Sequence, residues 1–228
     1  KKFGYKKQNL GLGVSSSLIS IFHQSNFDTK KYHKTVYKSL KSSAIIYERS
    51  LELINRIKPD YVVTFNNRFA TSLPIILAAK LKKIKIIRHE RGSNFDKYEI
   101  FKKDVHNLSY RADNVNFYWD SEKNLKKKIS LSKKYFFNRR KGIPLNWDLK
   151  KNHAINQKPG FVPALKKKYR FVFYTTSEDE HESIKDQLTN VVWPSQEVAL
   201  KKFIKCLRLL ENFELYIRVH PISSKRKS

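Results

Sequence analysis

Apolar positions along this chain recur with two different periods, and the change of period marks out its elements. In "KTVYKSLKSSAIIYERSLELINRIKPD", Val36, Leu40, Ala44, Tyr47, Leu51 and Ile54 return at steps of three and four. That spacing predicts a helix with one apolar face, stopped by Pro59. "YVVTF" at residues 61–65 is β-branched and aromatic and predicts a buried strand. "NNRFATSLPIILAAKLKK" opens on turn residues and continues as a nearly all-apolar helix, which accommodates Pro74 only in its first turn. "IKII" at residues 84–87 predicts a second strand, followed by the polar loop "RHERGSNFD".

Strand, helix and strand in that order form a βαβ unit and imply a parallel sheet. Ligands of open parallel sheets bind at the carboxyl ends of strands. Two segments therefore matter: Asn66-Asn67-Arg68 after the first strand, and His89-Glu90-Arg91-Gly92 after the second.

Residues 99–142 read mainly as helix. Within them "SEKNLKKKISLSKKYFFNRRK" is either a solvated helical face or a basic amphipathic surface helix carrying Leu125, Ile129, Leu131, Tyr135 and Phe136. Residues 143–168 contain three prolines and no sustained period, as an interdomain linker does. The pattern then restarts. "YRFVFYT" predicts a strand, "TSEDEHESI" an acidic loop, "WPSQEVALKKFIKCLRLLENF" a helix and "ELYIRV" a second strand that ends at His220-Pro221. In the helix, Leu200, Phe203, Ile204, Leu207 and Leu210 share a face. The expected fold is α/β, with residues 1–150 and 169–228 as two units joined by a linker at 151–168, the second apparently truncated.

Composition bounds the partners. With 40% hydrophobic residues in 228, the chain can bury a core and is not a disordered polymer. No apolar run approaches the roughly 20 residues of a bilayer span, and no secretory signal is visible. The single Cys206 excludes a disulfide framework and a cysteine-based zinc site. Its neighbours Ile204, Leu207 and Leu210 predict a buried, inert thiol in a reducing cytoplasm. Methionine is absent even at position 1, as in a fragment. The formal net charge of +28 attracts polyanions such as nucleic acid, anionic membrane or phosphorylated substrates. Lys outnumbers Arg about threefold, however, a bias that an AT-rich genome produces without selection for binding.

"FNNRF", "RHERG", "TTSEDE", "WPSQEVALKKFIKCL" and "IRVHP" follow one another over residues 60–221. In this order they resemble the bacterial capsule polysaccharide and lipopolysaccharide biosynthesis glycosyltransferases of the GT-B type. Where such proteins more usually have Asn-Gly-Arg, this chain has Asn66-Asn67-Arg68, and Asn is the next-best residue for a left-handed turn. The resemblance implies two Rossmann-like domains facing a cleft, the first presenting the acceptor and the second holding a nucleotide-sugar donor. It also implies that His220 and Pro221 are the His-Pro pair that contacts the donor phosphate. Pro221 would end the strand and set the turn, and the His220 imidazole would meet the charge developing on the leaving group. The plainer reading of that pair is a strand stop followed by a polar surface residue.

Other roles follow from the chemistry of such a transfer. Arg218, Thr176 and Ser177, with Thr175, lie at strand ends suited to phosphate or ribose hydroxyls, and Gln196 in the next helix faces the nucleotide. Glu197 beside it is accounted for by the helix dipole. Glu178, Asp179 and Glu180 could ligate Mg2+, a less favoured alternative to a metal-independent site without cofactor. Glu90, with His89 beside it, is the candidate base for the acceptor hydroxyl. Arg91 would hold Glu90 ionised or bind an acidic acceptor, and Asn66 and Arg68 would contact acceptor or phosphate. A structural Glu–Arg pair explains the same loop without catalysis. The expected partners are a nucleotide-sugar and a glycan or lipid-linked acceptor, with the enzyme cytoplasmic and peripheral on an anionic inner-membrane surface. A nucleotide-sugar epimerase or polyol-phosphate transferase would share the fold. A nucleic-acid-binding protein is disfavoured, since zinc-finger spacing and RNP-like segments are missing and the lysines are spread along the chain.

Overall fold

A computed structural model describes residues 3–91, 97–141, 164, 166–184 and 192–220. The described residues form a mixed α/β structure with three small sheets. A two-residue hairpin, β1 (Gly4–Tyr5) and β2 (Gln8–Asn9), leads into α1 (Gly11–Phe22) and then α2 (His33–Ile57). The central sheet contains β3 (Tyr61–Phe65), β4 (Lys85–Arg91) and β5 (Tyr98–Phe101), with α3 (Ser72–Leu81) crossing from β3 to β4. Two further helices follow, α4 (Leu108–Ser121) and α5 (Leu125–Arg140). The last sheet pairs β6 (Tyr169–Tyr174) with β7 (Phe213–Arg218), and the crossover between them contains α6 (Glu178–Ile184) and α7 (Gln196–Leu207).

The helical period of residues 36–54 becomes α2. Its Tyr47 and Ile54 join Leu10, Ala78 and Ala79 in the core, packed against Val62 and Ile86 of the sheet. Lys58 closes the helix in a left-handed conformation, its N–H donating to the Ile54 carbonyl, and Pro59 prevents continuation. Pro74 falls in the first turn of α3, where no intrahelical N–H is required. β3 and β4 run parallel in register Val62↔Ile86 and Phe65↔His89. β6 and β7 are parallel too, Phe171 opposite Leu215 and Tyr174 opposite Arg218. Behind this second pair, the Phe203 ring of α7 packs edge-on to Phe171, with centroids 5.9 Å apart.

Five sequence expectations need correction. β3 forms where the β-branched run predicts it, but it is not buried: Tyr61, Val63 and Phe65 lie on an exposed side of the sheet. Residues 88–91 are strand, not loop, because β5 pairs antiparallel with them, Arg88 opposite Phe101 and Arg91 opposite Tyr98. By the same pairing, residues 99–101 are strand rather than the start of a long helix. Part of "TSEDEHESI" is helical as α6, a segment rich in glutamate, which is a good helix former. Cys206 is exposed, because Leu207 beside it takes the inward position on α7 and a one-residue step turns the thiol away. The linker proposed for residues 151–168 lies almost wholly outside the described residues, as do Gly92 and Pro221.

α1 has no strong signal in the sequence. "GLGVSSSLISIF" is rich in Gly and Ser, poor helix formers, yet it buries Gly13, Val14, Ser16, Leu18 and Ile19. Those small residues permit close approach. A Cβ on Gly13 would lie 2.9 Å from the Phe69 carbonyl oxygen and 3.1 Å from Leu73 Cβ. Tertiary packing onto the turn after β3 therefore outweighs weak propensity.

Gly13→Ala should destabilise the protein by about 1–3 kcal/mol despite raising helix propensity, because the clash is with backbone that cannot swing aside. Urea unfolding of the variant measures this. Unchanged or increased stability would mean that α1 does not sit tightly on that turn.

Candidate functional site

The chain leaves β3 through Asn66, which holds φ 54°, so the left-handed position is Asn66 itself and not Asn67. Asparagine tolerates this conformation because its side chain satisfies nearby backbone. Its Oδ1 accepts from the N–H groups of Asn67 at 2.6 Å and Arg68 at 3.2 Å. Its Nδ2 donates to Glu90 Oε2 at 2.5 Å, tying the end of β3 to β4. Asn67 is buried, and its Oδ1 accepts from the Val105 N–H at 3.1 Å, which pins the segment after β5 beneath the turn.

Arg68 projects from this turn toward two helices. Its Nη1 lies 3.1 Å from both Ser16 Oγ and Ser20 Oγ on α1, and 2.7 Å from Ser183 Oγ on α6. Two N–H groups are thus shared among three hydroxyl oxygens. The guanidinium also lies 4.2 Å from the centroid of the Phe69 ring. A crevice of about 220 Å3 opens here, with Ser16, Asn67, Arg68, Asp104 and Ser183 among its walls.

β4 separates the residues expected to act together. Successive strand residues face opposite sides of a sheet. Arg88 and Glu90 share the side facing the crevice segments: Arg88 is buried and pairs with Asp104 at 3.1 Å, and Glu90 receives the Asn66 amide. His89 faces the other side, its ring 5.6 Å from Phe65 and 5.7 Å from Tyr98. His89 and Glu90 therefore point to opposite sides of the sheet, because both are strand residues rather than loop residues. The Arg91 side chain points with His89, and what Arg91 gives Glu90 is its backbone N–H, 3.0 Å from Oε1.

The histidine near Glu90 is His106, which sequence reasoning passed over. It stands immediately before the Asn107 cap of α4, whose Oδ1 accepts from the Tyr110 N–H. Burial, then the positive charges of Arg68 and Arg111, depress its pKa to about 4, only partly opposed by Glu90 and Asp104. At neutral pH the ring is uncharged. Its Nε2 is enclosed and has no hydrogen-bond partner among the described residues. The available signal was the cap: reading Asn107 as a helix start would have left Asp104 and His106 on a connection at a strand end.

A second polar group gathers where β6 and β7 end. The Thr175 N–H donates to the Arg218 carbonyl at 3.0 Å, and Thr175 Oγ1 accepts from the His220 N–H at 2.8 Å. The Gln196 amide clamps Thr176, accepting from its N–H at 2.6 Å and donating to its carbonyl at 3.2 Å. That clamp fixes the N-terminus of α7, capped by Ser195, against the end of β6. Thr175, Thr176, Gln196 and His220 are therefore brought together, with the Arg218 side chain exposed beside them. Ser177 differs from the expectation of a ligand contact. It is 1% exposed, since it leads into α6 and that helix is packed on α1.

Among the described residues no group of three or more His, Cys, Asp or Glu side chains is arranged to hold a metal ion. No helix among them is long and apolar enough to cross a membrane. No family model, curated protein or solved structure matches the chain.

The depressed His106 pKa sets a pH dependence. Between about 4 and its ordinary 6.5 the unfolded chain binds the proton that the folded chain refuses. The resulting stability is complete above pH 6.5 and is lost as pH falls toward 4, by about 1–2 kcal/mol once solvent screening is allowed for. His106→Gln should flatten this part of the urea-unfolding stability profile. A variant whose profile keeps the full wild-type slope there would contradict the burial of a neutral imidazole.

Proposed function

We propose that this chain is a glycosyltransferase that moves a sugar from a nucleotide-activated donor to a glycan or lipid-linked acceptor. On this reading its two parallel strand pairs belong to two Rossmann-like units of GT-B type. One observation carries the reading: polar side chains collect at the carboxyl ends of both parallel pairs, and Arg68 at one end reaches Ser183 on α6, the helix that leaves the other. Carboxyl ends are where such sheets bind ligands, and an enzyme joining two substrates needs two such ends turned to a common space.

The donor belongs at the second cluster. The N-terminus of α7 and the hydroxyls of Thr175 and Thr176 offer donors to a pyrophosphate, and His220 faces the leaving phosphate with Arg218 beside it. Gln196 acts indirectly, by holding the Thr176 backbone in place. The acceptor belongs at the first cluster. For a transfer that inverts the anomeric centre, Glu90 removes the acceptor hydroxyl proton while that oxygen attacks the anomeric carbon. The bond from carbon to phosphate oxygen breaks, and the nucleotide departs with the electron pair. Asn66 aims the Glu90 carboxylate, and Arg68 supplies positive charge to acceptor or phosphate. None of these steps is routed through a metal.

Titration of CMP, CDP and UDP into the protein and into His220→Ala tests the reading. His220 is anchored through its backbone N–H, so the variant keeps its anchor while losing the imidazole. Binding of at least one nucleotide, weakened about tenfold or more in the variant, is expected. Absence of nucleotide binding, or affinity indifferent to His220, would remove the donor site from the account.

A further inference from the structure

Beyond the first turn of α4, where Tyr110 and Arg111 meet Phe101 and Glu99 of β5, the helices α4 and α5 are largely exposed. α4 buries none of its residues, although Phe117 is 66% and Trp119 46% exposed. α5 shows Leu125, Ile129, Leu131 and Phe136 to solvent, Phe136 at 69%. Folding leaves single apolar residues outside routinely, but an adjoining pair of helices with this many is a surface that no described residue covers.

Its charge indicates what covers it. The sequence of α5 is "LKKKISLSKKYFFNRR", with no acidic residue. Lys126, Lys133 and Lys134 are exposed. Lys128 Nζ sits 4.5 Å from the Trp119 ring centroid and donates to the Trp119 carbonyl at 2.8 Å, joining the two helices. The turn between them is set by Glu122, which pairs with Lys127, and by Asn124, whose Oδ1 accepts from the Lys127 N–H. A second copy of this chain is a poor occupant, because both copies carry the same +28 charge. Nucleic acid would use the lysines and stack on the aromatics, but has no use for exposed Leu125, Ile129 and Leu131. An anionic lipid surface uses all three kinds of side chain: lysines at the headgroups, Trp at the interface, aliphatics in the acyl boundary.

We propose that the α4–α5 hairpin is a docking element for an anionic lipid surface. The root of the pair strengthens the assignment, since Asp104, a wall of the candidate acceptor crevice, lies three residues before the Asn107 cap of α4. Docking through α4 and α5 brings that crevice to the lipid surface, which selects a lipid-linked acceptor over a free one; this last step rests on the glycosyl-transfer reading, and the docking itself does not.

The test is co-sedimentation of the full chain with phosphatidylcholine vesicles, with and without phosphatidylglycerol. Three proteins are compared: the unaltered chain, Lys126→Gln/Lys133→Gln/Lys134→Gln, and Lys34→Gln/Lys38→Gln/Lys41→Gln on exposed positions of α2. The two variants lose equal charge from different places. Binding is expected only with phosphatidylglycerol, weakened about a hundredfold by the hairpin variant and far less by the α2 variant. Ile129→Ser/Phe136→Ser, on the side of α5 that they share with Leu125, should weaken it as well, with the lysines intact. No anionic vesicle binding, or equal losses in both lysine variants, would overturn the proposal. So would vesicle binding intact in the hairpin variant while its binding to single-stranded RNA collapses. CMP and UDP affinity measured on the same proteins separates the two proposals: nucleotide binding without vesicle binding sinks the docking element alone, and vesicle binding without nucleotide binding sinks the donor site alone.

Discussion

The Arg68 guanidinium sits where α1, the turn after β3 and α6 converge, and the arrangement of the site depends on it. Arginine suits this position because its flat, always-charged head offers several N–H groups in fixed directions. Ser16 and Ser20 on α1 and Ser183 on α6 receive them, so one side chain holds a helix from the start of the chain and one from near its end. Small side chains make the approach possible. Gly13 lets α1 touch the Phe69 backbone, and the serines of α1 supply hydroxyls where larger residues would fill the crevice. The same charge acts on His106, helping to keep that ring neutral.

The second constraint is the alternation of β4. Because β5 extends the sheet past residue 87, four residues that looked like a loop become strand, and their side chains are sorted by face. Arg88 and Glu90 are committed to the crevice side, where Asp104 and Asn66 meet them. His89 goes to a side on which Tyr61, Val63, Phe65, Tyr98 and Ile100 remain exposed. The histidine that feels the Glu90 charge is His106, on the connection after β5.

Legibility in the sequence followed the strength of local signals. The α2 period, the β-branched run of β3, the Pro stop and the βαβ succession were each specified by residues close in the chain, and each formed. α1 was illegible because its Gly and Ser content disfavours helix locally and is compensated only by contacts with Phe69 and Leu73. β5 was hidden for a similar reason: four residues become a strand only because β4 offers an edge. Within the candidate site, the positions of Asn66, Arg68, Glu90, Thr176 and His220 near strand ends are legible because strand ends are predictable. Yet Gln196 and Ser177 have more structural tasks than expected, since hydrogen bonds between distant segments cannot be read from spacing. His106 was missed because a helix drawn through residues 99–142 erased the connection on which it stands.

The most direct measurement is a double-mutant cycle between Arg68 and Ser183, using Arg68→Met and Ser183→Ala and urea unfolding as the readout. The two residues are far apart in sequence, and a hydrogen bond of 2.7 Å between them links the two halves of the proposed site. A coupling free energy of about 1.5–3 kcal/mol is the predicted result, the range for a hydrogen bond to a charged group. Effects that simply add, within about 0.3–0.5 kcal/mol, would contradict it, and the two strand-end clusters would then have no shared anchor.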